Sequence, residues 1–577
     1  MDNRRYNIYF HTHTISGIII CAVLYVIFFA GSFSFFKSEI SAWQKNNSYT
    51  AALPSLRKDY NHILDSLGEK HNLRGRDFDF TLQRNGVSAY VSMSATHDST
   101  LKPKPDPAKA ERAKGRGRRG RDGDAAYFTY DFSRQKALDY AQGYDMGEFL
   151  YRLHFLAQLN AVPIRLGTPF GYLLAGIVSF MFLFALITGL LLHWNKIVSN
   201  FFTFRPWNKW KTVWTDMHTA LGVIGFPFQL VFAITGVILI ANVALTAPYT
   251  RYAYNNDSEK LFTNLEYYDN TPYEYSYKPL NKAFNLNGFI AGIERQWHGT
   301  EVNQISIRNF QDDNMHVIVR TEADPKLEFA GFGKQVYRMR DGKILVNKVP
   351  DSGSTYIGKV KSLIYHLHFG DFGGRPLRVV FFILGAMGCL VIISGILIWL
   401  VARDKNNVPA HKRKFNFWAA NVFLSACLAM LPVTAFTMIV LMVVKEPTQD
   451  TIYHWYFYSW LVLGLYFVVR KDFALTTRQT TLLSAVLCLA LPVADGLLRQ
   501  NWLWTLFSAR AFDILSIHIL FLVLSLISFV SYGKILKEQA KEEITAAAPT
   551  QPVTAGIKSA PTGMRRPPKP SLAAEQK

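Results

Sequence analysis

Apolar runs long enough to cross a bilayer recur along this chain, separated by polar stretches of very unequal length. A hydrocarbon core of about 30 Å needs roughly 20 residues of helix. Runs 15–36, 170–192, 217–245, 379–401, 415–444, 452–469 and 514–530 meet or approach that length without a charged residue, and 480–494 is the shortest. The pattern predicts eight spanning helices. The first run is too long for a signal peptide and lacks a small-x-small cleavage site, so it reads as a retained helix. Two long polar segments, 37–168 and 246–376, interrupt the series. Both contain short alternating runs of the kind half-buried strands show: 84–93, 126–132, 302–307, 315–320, and 334–338 followed by 342–346. A helical stretch, 53–70, precedes the strands of the first. Each segment therefore reads as a small α+β unit.

Charge orients this arrangement. Short loops carry the basic residues: Arg4 and Arg5; Lys196, Arg205, Lys209 and Lys211; Arg403, Lys405, Lys412, Arg413 and Lys414; Arg470, Lys471 and Arg478. All fall on one side of an alternating chain, which predicts cytoplasmic termini and polar segments on the outer side, which in a bacterial cell is the periplasm. Lys+Arg number 63 against 42 Asp+Glu, a net charge of +21, yet half the chain is hydrophobic and only 18% is charged. That balance excludes a disordered chain and a soluble nucleic-acid binder, so lipid is expected as a partner and nucleic acid is not. The stretch 101–124, rich in Lys, Arg and Gly, reads as a disordered loop inside the first polar segment, and 534–577 as a disordered tail. Cys21, Cys389, Cys427 and Cys488 all lie in apolar runs without a C-x-x-C pair, which argues against thiolate zinc, iron–sulfur and dithiol chemistry.

The pattern also repeats. His13-Thr14-Ile15-Ser16-Gly17 opens the first run and His218-Thr219-Ala220-Leu221-Gly222 the third; 18 residues after each His stand Ala30-Gly31 and Thr235-Gly236. Leu153-His154-Phe155 precedes the second run, which ends Thr188-Gly189; Leu367-His368-Phe369 precedes the fourth, which ends Ser394-Gly395. Two halves related by an axis along the membrane normal follow. Histidine inside a membrane is expensive and by default functional. A haem held between helices needs two imidazoles from different elements, and repeat-related positions supply such pairs. His13 with His218 makes an inner pair, and His154 with His368 an outer pair. Residues i and i+2 point about 200° apart on a helix, so His11 and His13, or His366 and His368, cannot share one haem. His193 aligns with Trp399 and falls outside the symmetric set, while remaining a competitor for an inner position, as His366 is for an outer one. His454 and His518 lack repeat partners and read as structural or quinone-side residues. His62, His71, His97, His298, His316 and His411 read as surface residues.

With these motifs in order over residues 5–403, the chain resembles the PepSY-associated transmembrane family of bacterial iron-regulated inner-membrane proteins. The resemblance implies a mainly α-helical polytopic membrane protein. Its parts would be a first helix (1–36), a periplasmic PepSY-like domain (37–168), two helices (169–245), a second such domain (246–376) and a fourth helix (377–403). Four additional helices (415–533) would follow this haem-binding core. Family members similar to this chain look like dihaem ferric-siderophore reductases. The implied cofactors are two b-type haems on His13, His218, His154 and His368, with His193 and His366 as neighbours, and a quinone as a further candidate. The implied partners are a ferric siderophore or other ferric chelate, and an electron donor that is a quinol or a cytoplasmic reductase, since the sequence carries no flavodoxin-like or dinucleotide-binding fingerprint. Two other classes compete: an iron or siderophore permease, which the lack of charge in the spanning runs disfavours, and a non-enzymatic PepSY binding or regulatory protein, which leaves the paired histidines unexplained.

Overall fold

A computed structural model describes residues 2–102, 125–164, 168–205, 210–267, 271–297, 300–323, 329, 332–348 and 355–547. Residues 103–124 of the expected basic loop, most of the tail 534–577, and His298 lie outside the described residues. Among those described, eight helices are long and apolar enough to cross a membrane. The repeated unit supplies four: α1 (Asn3–Ser34), α5 (Phe170–His193), α6 (Trp210–Ile240) and α9 (Gly374–Arg403). The others are α10 (Ala410–Val443), α11 (Gln449–Arg470), α12 (Phe473–Arg499) and α13 (Phe512–Ala547). Phe180, Val462 and Leu526 stay exposed on these helices, as lipid-facing side chains should. The short seventh run is a full helix: Asp472 accepts from the Leu475 backbone N–H at 2.9 Å and caps α12, which continues to Arg499. Asp495, beyond the apolar run, is thereby drawn inside α12 and is fully buried.

The polar segments contribute α2 (Lys37–Lys45), α3 (Tyr60–Gly68), α4 (Met146–His154), α7 (Leu286–Gln296) and α8 (Tyr356–Phe369). Their strands are β1 (Phe78–Leu82), β2 (Ser88–Met93), β3 (Ala126–Asp131), β4 (Lys136–Leu138), β5 (Thr300–Arg308), β6 (His316–Ala323), β7 (Phe332–Arg338) and β8 (Lys343–Lys348). All eight form one antiparallel sheet in the order β4-β3-β2-β1-β5-β6-β7-β8. Each segment keeps a plan of helix and strands, and the two share the sheet because β1 pairs with β5, Phe78 opposite Ile307 and Phe80 opposite Ile305. Alternate side chains of these strands bury one face of the sheet. Ile63 and Leu67 of α3 and Ile290 and Ile293 of α7 pack in the same core. His316, read as a surface residue, is instead only 5% exposed on β6, its ring 4.7 Å from that of Tyr273.

Polar contacts fix the sheet and the accessory helices to the four-helix core. Arg84, in the β1–β2 turn, bonds Asp371 at 2.9 Å and stacks over Phe369 at 4.6 Å. Arg378 of α9 bonds Glu39 of α2 at 2.9 Å. Asp513, at the start of α13, accepts from the Tyr49 and Thr50 backbone N–H groups at 2.6 and 3.2 Å. Within the membrane-spanning part, Phe33 of α1 meets Phe382 of α9 and Phe521 of α13.

Candidate functional site

Four helix ends bring the repeat histidines together in two pairs. The His13 and His218 rings, near the starts of α1 and α6, have centroids 6.1 Å apart at 70°. His154, the last residue of α4, and His368, next to last in α8, have centroids 6.0 Å apart at 39°. The first pair lies at the end of the core opposite the sheet, the second beneath the sheet.

Each imidazole is anchored through Nδ1. His13 donates to the Ala185 carbonyl at 2.9 Å, His218 to the Val391 carbonyl at 2.9 Å, and His154 to the Ile27 carbonyl at 2.8 Å. His368 Nδ1 lies 2.8 Å from Thr235 Oγ1. A carbonyl can only accept, so these Nδ1 atoms carry the proton. The Thr235 hydroxyl itself donates to the Val231 carbonyl at 2.6 Å, so toward His368 it too accepts. Every Nε2, on the far side of its ring, is left with a free lone pair.

The glycines of the repeat make room for these rings. A Cβ on Gly31 would stand 2.5 Å from His154 Nδ1, one on Gly189 3.0 Å from His13, and one on Gly395 3.1 Å from His218. Gly236 is looser, its Cβ position 4.0 Å from His368. Each glycine therefore sits on the helix that accepts from the opposing histidine, which is why the two motifs recur together. The outer pair lines a cavity of about 310 Å³ with Gly31, Gly236, Phe28, Phe182, Phe232 and Tyr365. On its lining Phe28 meets Phe182 edge to face at 5.2 Å. Phe182 follows the repeat spacing to Gly388, whose missing side chain accommodates the Phe28 ring.

Burial lowers the pKa of His154 below the ordinary histidine value, and burial with the neighbouring His154 pushes that of His368 down to about 3. Neutral, facing, Nδ1-anchored imidazoles are the form a metal binds. Two of them on opposite sides of one metal, each bound at roughly 2 Å, would put their centroids about 6 Å apart. Both pairs fit an iron held between two histidines, and the apolar cavity beside the outer one fits a flat macrocycle.

The competitors are placed elsewhere. His366 is 2% exposed, one side of α8 away from His368, and both its nitrogens face carboxylates: Nδ1 to Asp371 at 2.6 Å and Nε2 to Glu322 at 3.6 Å. The Asp371 bond raises its pKa, and burial raises that of Glu322. It joins the sheet to the core, and a carboxylate rather than a second imidazole stands opposite its Nε2. His193 stands near enough to the inner pair to interact electrostatically with both His13 and His218, and its Nδ1 lies 3.2 Å from Asn200 Nδ2. His11 is exposed against Phe10. His454 bonds its own helix at Asp450.

Sequence reasoning missed three things. Histidine–glycine contacts were not foreseen, although the shared spacing held the signal. The contact of the Thr235 hydroxyl with His368 stands out only against its repeat mate Ala30, which has no hydroxyl. His518 is buried with Nε2 2.8 Å from Asp495, a pair hidden because the apolar run ended one residue before that carboxylate.

A model of the PepSY-associated TM region matches residues 10–402, a stretch that contains all four histidines and ends before α10. A protein of Pseudomonas aeruginosa named uncharacterized protein PA4219 is 22% identical over 245 residues, covering 40% of this chain and 60% of the relative. The chain thus spans about 60% of the length of the curated relative it matches. With the family model covering well over half its length, this multi-pass membrane protein, with eight candidate spans among its described residues, belongs to the PepSY-associated TM region family.

Proposed function

We propose that the protein carries electrons across the bacterial inner membrane through two b-type haems and reduces a ferric siderophore or other ferric chelate in the periplasm. The observation that carries this reading is the pair of pairs: four repeat-related histidines, facing two by two at opposite ends of the core, each anchored through Nδ1. Haem iron, when bound, supplies a one-electron ferric/ferrous couple. His13 and His218 would hold the inner group, and His154 and His368 the outer one. The chain's own work is to hold the imidazoles neutral and oriented, to exclude water with Phe28, Phe182 and Phe232, and to keep the outer site beneath the sheet. With haem held at both pairs, electrons from a quinol or a cytoplasmic reductase would be accepted at the inner one and delivered at the outer one, one per ferric ion. Basic loops on the side opposite the sheet support cytoplasmic termini.

The test is anaerobic. Protein purified from haem-replete cells and reduced chemically should reoxidise on adding ferric chelates, with appearance of ferrous iron in equal amount. His368→Ala should abolish fast reoxidation. Reduced protein that no ferric chelate reoxidises would point to a different acceptor.

A further inference from the structure

The four histidine anchors are not equivalent. Three follow one rule: Nδ1 donates to the carbonyl four residues before a repeat glycine, Ala185 before Gly189, Val391 before Gly395 and Ile27 before Gly31. By that rule His368 should donate to the Phe232 carbonyl, four residues before Gly236. Instead the Thr235 hydroxyl stands between them, 2.8 Å from His368 Nδ1 and 3.3 Å from the Phe232 carbonyl. The looser Gly236 fits this geometry, because the ring stands off by the depth of the hydroxyl. The repeat mate of Thr235 is Ala30, which has no hydroxyl. Thr188 and Ser394 precede the inner glycines in the same way, but their hydroxyls bond the same carbonyl the histidine uses, at 3.1 and 2.9 Å, without replacing it; Ser394 Oγ lies 3.4 Å from His218 Nδ1, farther than the Val391 carbonyl at 2.9 Å.

We propose that Thr235 is a positioning residue that raises the redox potential of the outer site by substituting a hydroxyl for a carbonyl as the acceptor from His368. This rests on the two-haem reading above. An alcohol oxygen is a weaker acceptor than an amide carbonyl. His368 therefore keeps its Nδ1 proton more tightly and donates less electron density through Nε2. A poorer donor stabilises the ferric state less, and the potential of the iron it holds rises. The device favours electron flow from the inner site, where both anchors are carbonyls, to the outer one.

Spectroelectrochemical titration of the full-length holoprotein tests this without any substrate. His368→Ala identifies which of the two midpoint potentials belongs to the outer site. In Thr235→Ala the Phe232 carbonyl becomes accessible, as in the other three anchors, and the outer potential should shift down while the inner one stays. Thr235→Ser keeps the hydroxyl and should match wild type. Thr235→Val removes the hydroxyl but fills its space, leaving Nδ1 without an acceptor, and should shift the outer potential up; it serves if the alanine variant does not assemble. An outer potential unmoved in both Thr235→Ala and Thr235→Val, with both haem bands retained, overturns the role of Thr235. Wild-type protein without haem bands overturns the two-haem reading itself, a separate outcome seen before any variant is made.

Discussion

At the scale of single residues, symmetry-related positions carry different loads, and substitutions should reveal it. Gly31→Ala places a Cβ 2.5 Å from His154 Nδ1. Displacing the ring or the helix should cost on the order of 1–3 kcal/mol and disturb the outer pair. Gly236→Ala, whose Cβ would meet Ser179 Oγ at 3.7 Å and His368 at 4.0 Å, ordinary contact distances, should be tolerated. Thermal unfolding of the two variants side by side checks this, the expected difference being a lower Tm for Gly31→Ala alone. The outer sheet carries a separate titratable contact. His97 bonds Asp77 at 3.2 Å, and Asp77 also accepts from the Asn309 backbone N–H. The Asp77 bond raises the His97 pKa, so this stabilisation is complete below the ordinary histidine value of 6.5 and is lost as pH rises through the raised value. Asp77 is depressed, despite the opposing cost of burial, by His97, Asn309 and Arg308, so its contribution is present above 3.8 and is lost as pH falls through the depressed value. Stability from this pair therefore peaks between those limits, and His97→Gln should flatten the alkaline side of the pH–stability curve by under about 1 kcal/mol, as expected for a half-exposed pair.

At the scale of elements, the helices were legible and the sheet only partly so. Eight apolar runs became eight helices because a spanning helix must satisfy its own backbone, which leaves hydropathy little competition. Strands β2, β3, β5, β6, β7 and β8 followed visible alternation. β1 did not stand out, although Phe78 and Phe80 alternate with polar residues and are fully buried. Its partner β5 lies more than 200 residues away in sequence, and no local pattern encodes a pairing across that distance. The two histidines of α8 were separable in advance because helix geometry puts His366 and His368 on different sides; that the first would meet Asp371 and Glu322 was not. Core packing gives a test at this scale. A Cβ on Gly388 would lie 2.4 Å from the Phe28 ring. Gly388→Ala should destabilise the core by about 1–3 kcal/mol, and Phe28→Leu should recover part of that loss in a double-mutant cycle. Additive effects of the two substitutions would show that the ring is not seated against that glycine.

At the scale of the whole molecule, two repeats build one core, one shared sheet caps it, and four further helices buttress its side. The sheet ties the halves together above the outer histidines through Arg84, Asp371, His366 and Glu322. The accessory helices reach the same end through Asp513 and through Arg499, which bonds the Trp43 carbonyl at 3.1 Å. Such an assembly surrounds the outer pair with fixed elements while leaving the opposite pair next to the basic loops. The measurement that bears most directly on this account is the haem-to-protein ratio, read with the reduced visible spectrum of the purified chain. Two haems per chain are predicted, falling to one in His13→Ala and to one in His368→Ala, with different bands lost in each. Colourless protein from haem-replete cells, or two haems retained in both variants, would contradict it.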